Sequence, residues 1–300
     1  MEKDNVMRKK ILIIGATGFI GKNLAEYLSV NGKYDILIPS RKELNVLDME
    51  SVKAYFKDLY VDVVFHCAIF CAKTESDIGA IVENDLRMYY NMKNVKEHYG
   101  KMIYMGSGAE YDKSRDIMQV TEEMVDQIPK SEYGFAKYVI GQDIENSDNI
   151  YNFRVFGLFG KYEDWTSTFI SGCCCKAVKG YPLSIRQNVY FVYLWVDDFC
   201  KVASWAIEHN LEYHTYNVTS GKRVSLEEIA EIVKNVSDKE LECYVCQDGL
   251  AKEYTASNER LLNEIGYDYV TPIEEAVGTL YKWYEENQEI IDMKTLIYGN

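Results

Sequence analysis

Lys10-Ile11-Leu12-Ile13-Ile14-Gly15-Ala16-Thr17-Gly18-Phe19-Ile20-Gly21 decides the fold. A continuous apolar run is what a parallel strand buried on both faces needs, and this run gives way at once to glycines at spacing three and three. After Gly18 the apolar residues Ile20, Leu24, Tyr27 and Leu28 recur at i, i+4, i+7 and i+8, one face of a helix. Strand, glycine turn and helix in that order are the mechanics of a dinucleotide site. One glycine permits the tight turn, one lets a pyrophosphate approach the backbone, and one lets helix pack on strand. The spacing departs from G-x-G-x-x-G, so a purely structural turn competes as a reading of the motif alone. Its place at the first strand-helix junction favours a cofactor held by Gly15, Thr17, Gly18, Phe19, Ile20 and Gly21.

Further apolar runs at 35–39, 61–68 and 101–105 alternate with helical patterns at 49–59 and 81–99. Strands alternating with helices predict an α/β fold, a Rossmann-like doubly wound parallel sheet whose ligands lie beyond the carboxyl ends of the strands. Beyond Ile150 the pattern loosens. Residues 151–156 suit a strand, 159–182 show no clear period, and strand signals return at 190–196 and 216–218. Ser225, three residues before Glu228, matches a capping box opening a helix. The expected division is a dinucleotide-binding domain from 1–155 and 190–220, with an interleaved C-terminal substrate lobe from 156–189 and 221–300.

Three hundred residues with 47% hydrophobic and 27% charged residues suffice for a sizeable core. The formal net charge of -14 opposes nucleic acid phosphates and anionic membranes as partners. The amino-terminal stretch leads into a run too short for a signal-peptide core or a membrane span, so a cytoplasmic location is expected. Eight cysteines in such a chain are expected to be reduced.

Cofactor type is read about 20 residues past the glycines, where an acid would hold a ribose 2′-hydroxyl and an arginine a 2′-phosphate. The second strand ends at Ile38-Pro39-Ser40-Arg41 with no acid at its tip. The planar fork of Arg41 suits phosphate, which favours NADP(H) and leaves NAD(H) possible; a solvated surface arginine is the plain alternative.

Tyr133-Gly134-Phe135-Ala136-Lys137 puts a phenol and an ammonium four residues apart, on one face of a helix. The lysine cation is expected to lower the phenol pKa and make it a usable acid or base. With 25 tyrosines a chance match is expected, and the pattern gains weight from Ser107, a hydroxyl at the end of a strand.

Together these residues resemble the extended short-chain dehydrogenase/reductases that act on nucleotide-linked sugars. The resemblance runs through the glycine turn, Ser107, Tyr133 and Lys137, Val196-Asp197-Asp198 and Tyr216-Asn217-Val218. It implies a triad in which Ser107 bonds the sugar C4 oxygen, Tyr133 exchanges its proton, and Lys137 binds the nicotinamide ribose and tunes the tyrosine. Within the family, Arg41-Lys42-Glu43-Leu44-Asn45-Val46-Leu47-Asp48 looks most like the GDP-L-fucose synthase branch. That likeness implies NADPH, with Arg41 on the 2′-phosphate, Asn45 and Val46 near adenine, and Ala68 along the cofactor. A homodimer through the helix bearing Tyr133 and Lys137 is also implied.

Departures narrow the reaction. Family dehydratases follow the hydroxyl residue with Asp-Glu, but here Gly108 and Ala109 stand there. Fucose synthases add a cysteine, here Ala109, and a histidine in the substrate lobe, absent near Trp165-Thr166-Ser167-Thr168-Phe169. Glu110 is the nearby ionisable group. Where relatives grip the diphosphate with arginine the chain has Phe191, so Arg186 or Arg154 is expected to substitute, and the relatives' Asn-x-Tyr-Gly-Pro turn carries Gly157 and Lys161. The expected substrate is a nucleotide-linked keto-deoxy sugar reduced at C4. A C4 epimerase with retained NAD and a non-catalytic nucleotide-binding module are the alternatives.

Cys243 and Cys246 have zinc-like spacing without a completing pair, so structural thiols and no metal are expected. Cys173, Cys174 and Cys175 are expected on a helix, and His66 as a core imidazole.

Overall fold

A computed structural model describes residues 8–30, 32–71 and 75–298. β1 (Lys10–Ile14) is buried from Ile11 onward, as its unbroken apolar run requires. It is followed by α1 (Phe19–Ser29), β2 (Asp35–Leu37), α2 (Met49–Phe56), β3 (Val61–His66), α3 (Glu75–Ile78), α4 (Ile81–Lys93) and β4 (Tyr99–Ser107). β5 (Ile117–Val120) leaves this sheet, and α5 (Glu132–Ile144) and β6 (Ile150–Val155) return to it. With the strand Thr215–Val218 the sheet is six-stranded, in the order Thr215–Val218, β6, β4, β3, β1, β2.

β1 pairs in parallel with β2 and β3, and β3 with β4, in the registers Ile11↔Ile36, Ile11↔Val63 and Val63↔Lys101. Strand order therefore reverses between β1 and β3, and a parallel sheet of this kind binds ligands in the crevice at such a reversal. Leu12, Val64 and Met102 of the sheet share one core with Tyr89 and Met92 of α4 and Ile140 and Ile144 of α5. Each such large apolar side chain stabilises the fold by about 1.5–3 kcal/mol. The fold is the expected Rossmann-like α/β architecture.

The chain divides into two compact units. The first runs to Asp112 and adds Val125–Arg154 and Ala203–Tyr216, while the second takes Lys113–Met124, Val155–Val202 and Asn217–Asn300. Residues 113–124, 190–202 and 217–220, with Val155, thus fall in the second unit rather than in the expected first domain. Residues 113–124 join the second unit because β5 pairs with the strand Tyr254–Ala256, and 190–202 join it because the strand Tyr190–Val192 pairs antiparallel with Arg223–Ser225. In the second unit the helices Phe169–Val178, Leu226–Ser237 and Ile273–Glu286 pack on one another. Ser225 and Glu228 form the expected capping box. Fully buried Asp198 accepts from Thr271 N at 2.8 Å and Lys201 Nζ at 2.7 Å, so the Val196-Asp197-Asp198 element anchors the entry to Ile273–Glu286.

Several boundaries differ from expectation. The helix expected over 81–99 stops at Lys93, where Asn94 N turns back to the Tyr90 and Met92 carbonyls, and β4 already begins at Tyr99. The helix Phe169–Val178 lies in the stretch without a readable period, because Ile170, Ser171, Cys173, Cys174, Cys175, Ala177 and Val178 bury it nearly all round. Residues 190–196 form two short strands, the second of which pairs in parallel with Leu158–Phe159. Among the described residues no helix is long and apolar enough to cross a membrane.

Candidate active site

The glycine turn lies in the first unit, at the strand-order reversal. Gly15 has φ +81°, and a Cβ there would stand 2.8 Å from Ala68 N and 2.9 Å from the Cys67 carbonyl carbon. Only glycine lets the loops after β1 and β3 approach this closely. A Cβ on Gly21 would meet Ala16 Cα at 2.8 Å and the Gly15 carbonyl, so Gly21 seats α1 on the turn. Gly18 is exposed and faces no such obstruction; a Cβ there would have Gly15 O as its neighbour at 3.4 Å. α1 starts at Gly18 with no side-chain cap and no acid in its first turn. Its positive end is therefore open to an anion, and the turn fits a dinucleotide pyrophosphate. Thr17 is exposed beside it, with Phe19 and Ile20 half-buried.

Arg41 is exposed just past β2, and among the described residues no carboxylate pairs with it. The neighbouring Glu43 is committed elsewhere: its carboxylate accepts from Ser40 N and Oγ, both at 2.8 Å, and these bonds hold its pKa below the ordinary value. Asn45 N donates to Ser51 Oγ at 3.0 Å, and the Val46 carbonyl accepts from Asn91 Nδ2 at 2.8 Å. The segment after Arg41 is thereby tied to α2 and α4.

Ser107, Tyr133 and Lys137 converge in the same unit. Ser107 ends β4 and caps the short turn Gly108–Glu110, its hydroxyl accepting from Ala109 N at 3.1 Å while Glu110 reaches back to Ser107 N at 3.2 Å. α5 is capped by Ser131, whose hydroxyl accepts from Gly134 N at 3.1 Å. A Cβ on Gly134 would stand 2.7 Å from Ala109 O, so α5 lies directly on the Ser107 turn. The Ser107 hydroxyl lies near enough to Tyr133 to lower the phenol's pKa. Lys137 Nζ sits 5.6 Å from the Tyr133 ring centroid and donates to Tyr104 Oη and Met105 O, both at 2.8 Å.

The charges depart from the expectation that Lys137 lowers the phenol pKa. Burial pushes the Tyr133 phenol up, Ser107 pulls it down, and Asp85 and Glu110 push it further up. Burial brings Lys137 down to about 8, against the opposing pull of Asp85, Glu110 and Cys67. Burial dominates, so the phenol keeps its proton near neutrality. That protonation state is the one a proton donor needs.

Arg154 has another task than the expected grip on substrate phosphate. It is 2% exposed, its Nε donates to Glu110 Oε2 at 2.7 Å and its Nη1 to Tyr111 Oη at 3.0 Å. Asn152 Nδ2 adds bonds of 3.2 and 3.1 Å to the Glu110 oxygens. Glu110, fully buried, is thus the anchor of the Ser107 turn rather than a group open to substrate. Arg186 is exposed on the strand Leu183–Asn188. Phe191 packs its ring on Tyr193 and Tyr254 at 5.6 and 5.7 Å.

His66 is 1% exposed, tilted on the Tyr104 ring at 5.5 Å, and burial followed by the Lys137 charge lowers its pKa to about 4. It is a neutral core imidazole. Cys173, Cys174 and Cys175 are buried on the helix Phe169–Val178, and burial pushes Cys173 and Cys175 up to about 12, far from a reactive thiolate. Cys243 and Cys246 lie on the strand Cys243–Leu250, both with free thiols.

Tyr104, which accepts a hydrogen bond from Lys137, and Asp85, whose charge acts on it, went unread in the sequence. Asp85 left a signal, since Asp85, Met88, Tyr89 and Met92 fall at i, i+3, i+4 and i+7 of α4, all buried. A carboxylate in an apolar helical stripe demands a partner.

A doubly wound sheet with a glycine turn at its strand-order reversal and a Ser-Tyr-Lys cluster beside it defines a dinucleotide-dependent enzyme. The model of the NAD dependent epimerase/dehydratase family matches residues 11–219, and the chain belongs to that family. It is an enzyme of the extended short-chain dehydrogenase/reductase type. An ADP-L-glycero-D-manno-heptose-6-epimerase of Cupriavidus pinatubonensis is 24% identical, over 92% of this chain and 98% of the relative. A GDP-mannoheptose C4 reductase from Campylobacter jejuni, solved with NADP bound, superimposes with a TM-score of 0.79 at 16% identity, over 93% of this chain and 98% of that one. A GDP-L-fucose synthetase from Naegleria fowleri, bound to NADP, gives 0.80 at 18% identity, over 94% and 95%.

Proposed function

We propose that the protein is an NADPH-dependent reductase acting on C4 of a nucleotide-linked 4-keto sugar. The observation that carries this reading is a Ser107-Tyr133-Lys137 cluster with no second acid-base pair at Gly108 and Ala109. The pyrophosphate is held by Gly15 to Gly21 at the open end of α1, Arg41 takes the 2′-phosphate, and Asn45, Val46 and Ala68 border the adenosine and ribose. The dinucleotide, when bound, supplies a hydride. Ser107 donates a hydrogen bond to the C4 oxygen, and Tyr133 gives that oxygen its proton as the C=O π bond opens to a C–O–H. Lys137 holds the nicotinamide ribose and offsets the negative charge left on the phenol oxygen. The NADP named with the Campylobacter reductase and the Naegleria synthetase supports this choice of cofactor.

The heptose epimerase relative favours a second reading, in which a retained NAD would take up and return the hydride of one carbon while the same cluster removes and returns the proton, with no net use of cofactor. A set of nucleotide-linked 4-keto sugars offered with NADPH separates the two. Stoichiometric loss of absorbance at the reduced nicotinamide band supports reduction, and interconversion of sugars without that loss supports epimerisation. A homodimer through α5 belongs to the same proposal, and sedimentation of the purified protein tests it.

A further inference from the structure

Asp85 is 2% exposed on α4, one of its carboxylate oxygens accepts from Phe70 N at 2.7 Å, and the other has no hydrogen-bond partner. Such an oxygen is costly to bury unless a nearby charge compensates it. Tyr89, one turn along the same face of α4, packs its ring edge-on against Tyr104 at 5.6 Å, and the Lys137 ammonium stands 4.4 Å over that same Tyr104 ring. Residues four apart on a helix share a face, so Asp85 is directed at the cluster that Tyr89 touches. The loop that Asp85 holds through Phe70 leaves the carboxyl end of β3, the end at which Ser107 closes β4.

We propose that Asp85 is a positioning residue for Lys137: its buried carboxylate is the counter-charge that keeps the lysine an ammonium and aimed at Tyr104 and Met105. Among the charges acting on Lys137, that of Asp85 is the largest, followed by Glu110 from the Ser107 turn and Cys67 past β3. His66, a neutral ring on β3, feels the Lys137 charge, and Tyr104 on β4 and Tyr133 on α5 feel the charge of Asp85. Removing the Asp85 charge lowers the affinity of Lys137 for its proton and eases ionisation of Tyr133. Both effects move the alkaline limb of activity to lower pH. This inference rests on the catalytic role given to Lys137.

The test pairs Asp85→Asn with Asp85→Glu. Asparagine keeps an acceptor for Phe70 N and loses only the charge, while glutamate restores the charge. The Lys137 ammonium is followed by nitrogen NMR of the whole protein labelled at lysine, its signal assigned by its loss in Lys137→Met. In Asp85→Asn the Lys137 titration moves down by about one pH unit, and in Asp85→Glu it stays near the wild-type position. The alkaline limb of kcat/KM moves with it. An unmoved Lys137 titration in a folded Asp85→Asn protein overturns the proposal even where turnover of a keto sugar is found. A moved titration in a protein that reduces no keto sugar upholds the counter-charge and rejects the reductase reading.

Discussion

Arg154→Met removes one half of a buried ion pair and leaves the other in place. Glu110 is fully buried and Arg154 2% exposed, and they meet at 2.7 Å. Stranding one partner of such a pair costs about 3–5 kcal/mol. Glu110 keeps Asn152 and Ser107 N as donors, which places the expected loss at the lower end, about 3 kcal/mol. In urea, where stability falls by about 1–3 kcal/mol per molar, the unfolding midpoint drops by about 1 M or more. Glu110→Gln combined with Arg154→Met leaves no stranded charge and is more stable than Arg154→Met alone. A variant with wild-type stability and weakened substrate binding refutes this reasoning and returns Arg154 to the role of diphosphate grip.

Gly15→Ala forces a side chain into φ +81° and against the loop after β3, at a strain of about 1–3 kcal/mol; NADPH binding by calorimetry weakens at least about tenfold, and unchanged affinity rejects the turn as a phosphate cradle. Arg41→Ala removes a charge-assisted bond worth about 1.5–3 kcal/mol, so NADPH binding falls about tenfold or more while NADH binding is unchanged; equal losses for both cofactors remove Arg41 from the 2′-phosphate. With Lys137 at about 8, kcat/KM declines as the pH rises through that value, because the ammonium and then the phenol proton are lost. A profile flat to pH 10 contradicts that assignment.

Much of the first unit was legible because its signals are local. Apolar runs bounded by glycine mark β1 and its turn, and four-residue spacing places Tyr133 and Lys137 on one face of α5. The phenol's protonation was misjudged because spacing shows the neighbouring cation but not the burial that raises the phenol's pKa. Arg154 was misplaced because its partner is Glu110, 44 residues away in the chain, and only the pairing of β4 with β6 brings them together. The cysteine run was expected on a helix, but the bounds of Phe169–Val178 could not be read because burial on nearly all sides erases amphipathic period. Residues 113–124 read as part of the first domain because nothing local announces that β5 pairs with Tyr254–Ala256.

Tyr133→Phe tests the central claim most directly. It deletes one oxygen from α5 and leaves the glycine turn, Arg41 and Lys137 untouched. Single-turnover oxidation of NADPH by a nucleotide-linked 4-keto sugar should slow by at least about 10²-fold with NADPH affinity unchanged. Wild-type turnover in that variant contradicts the account.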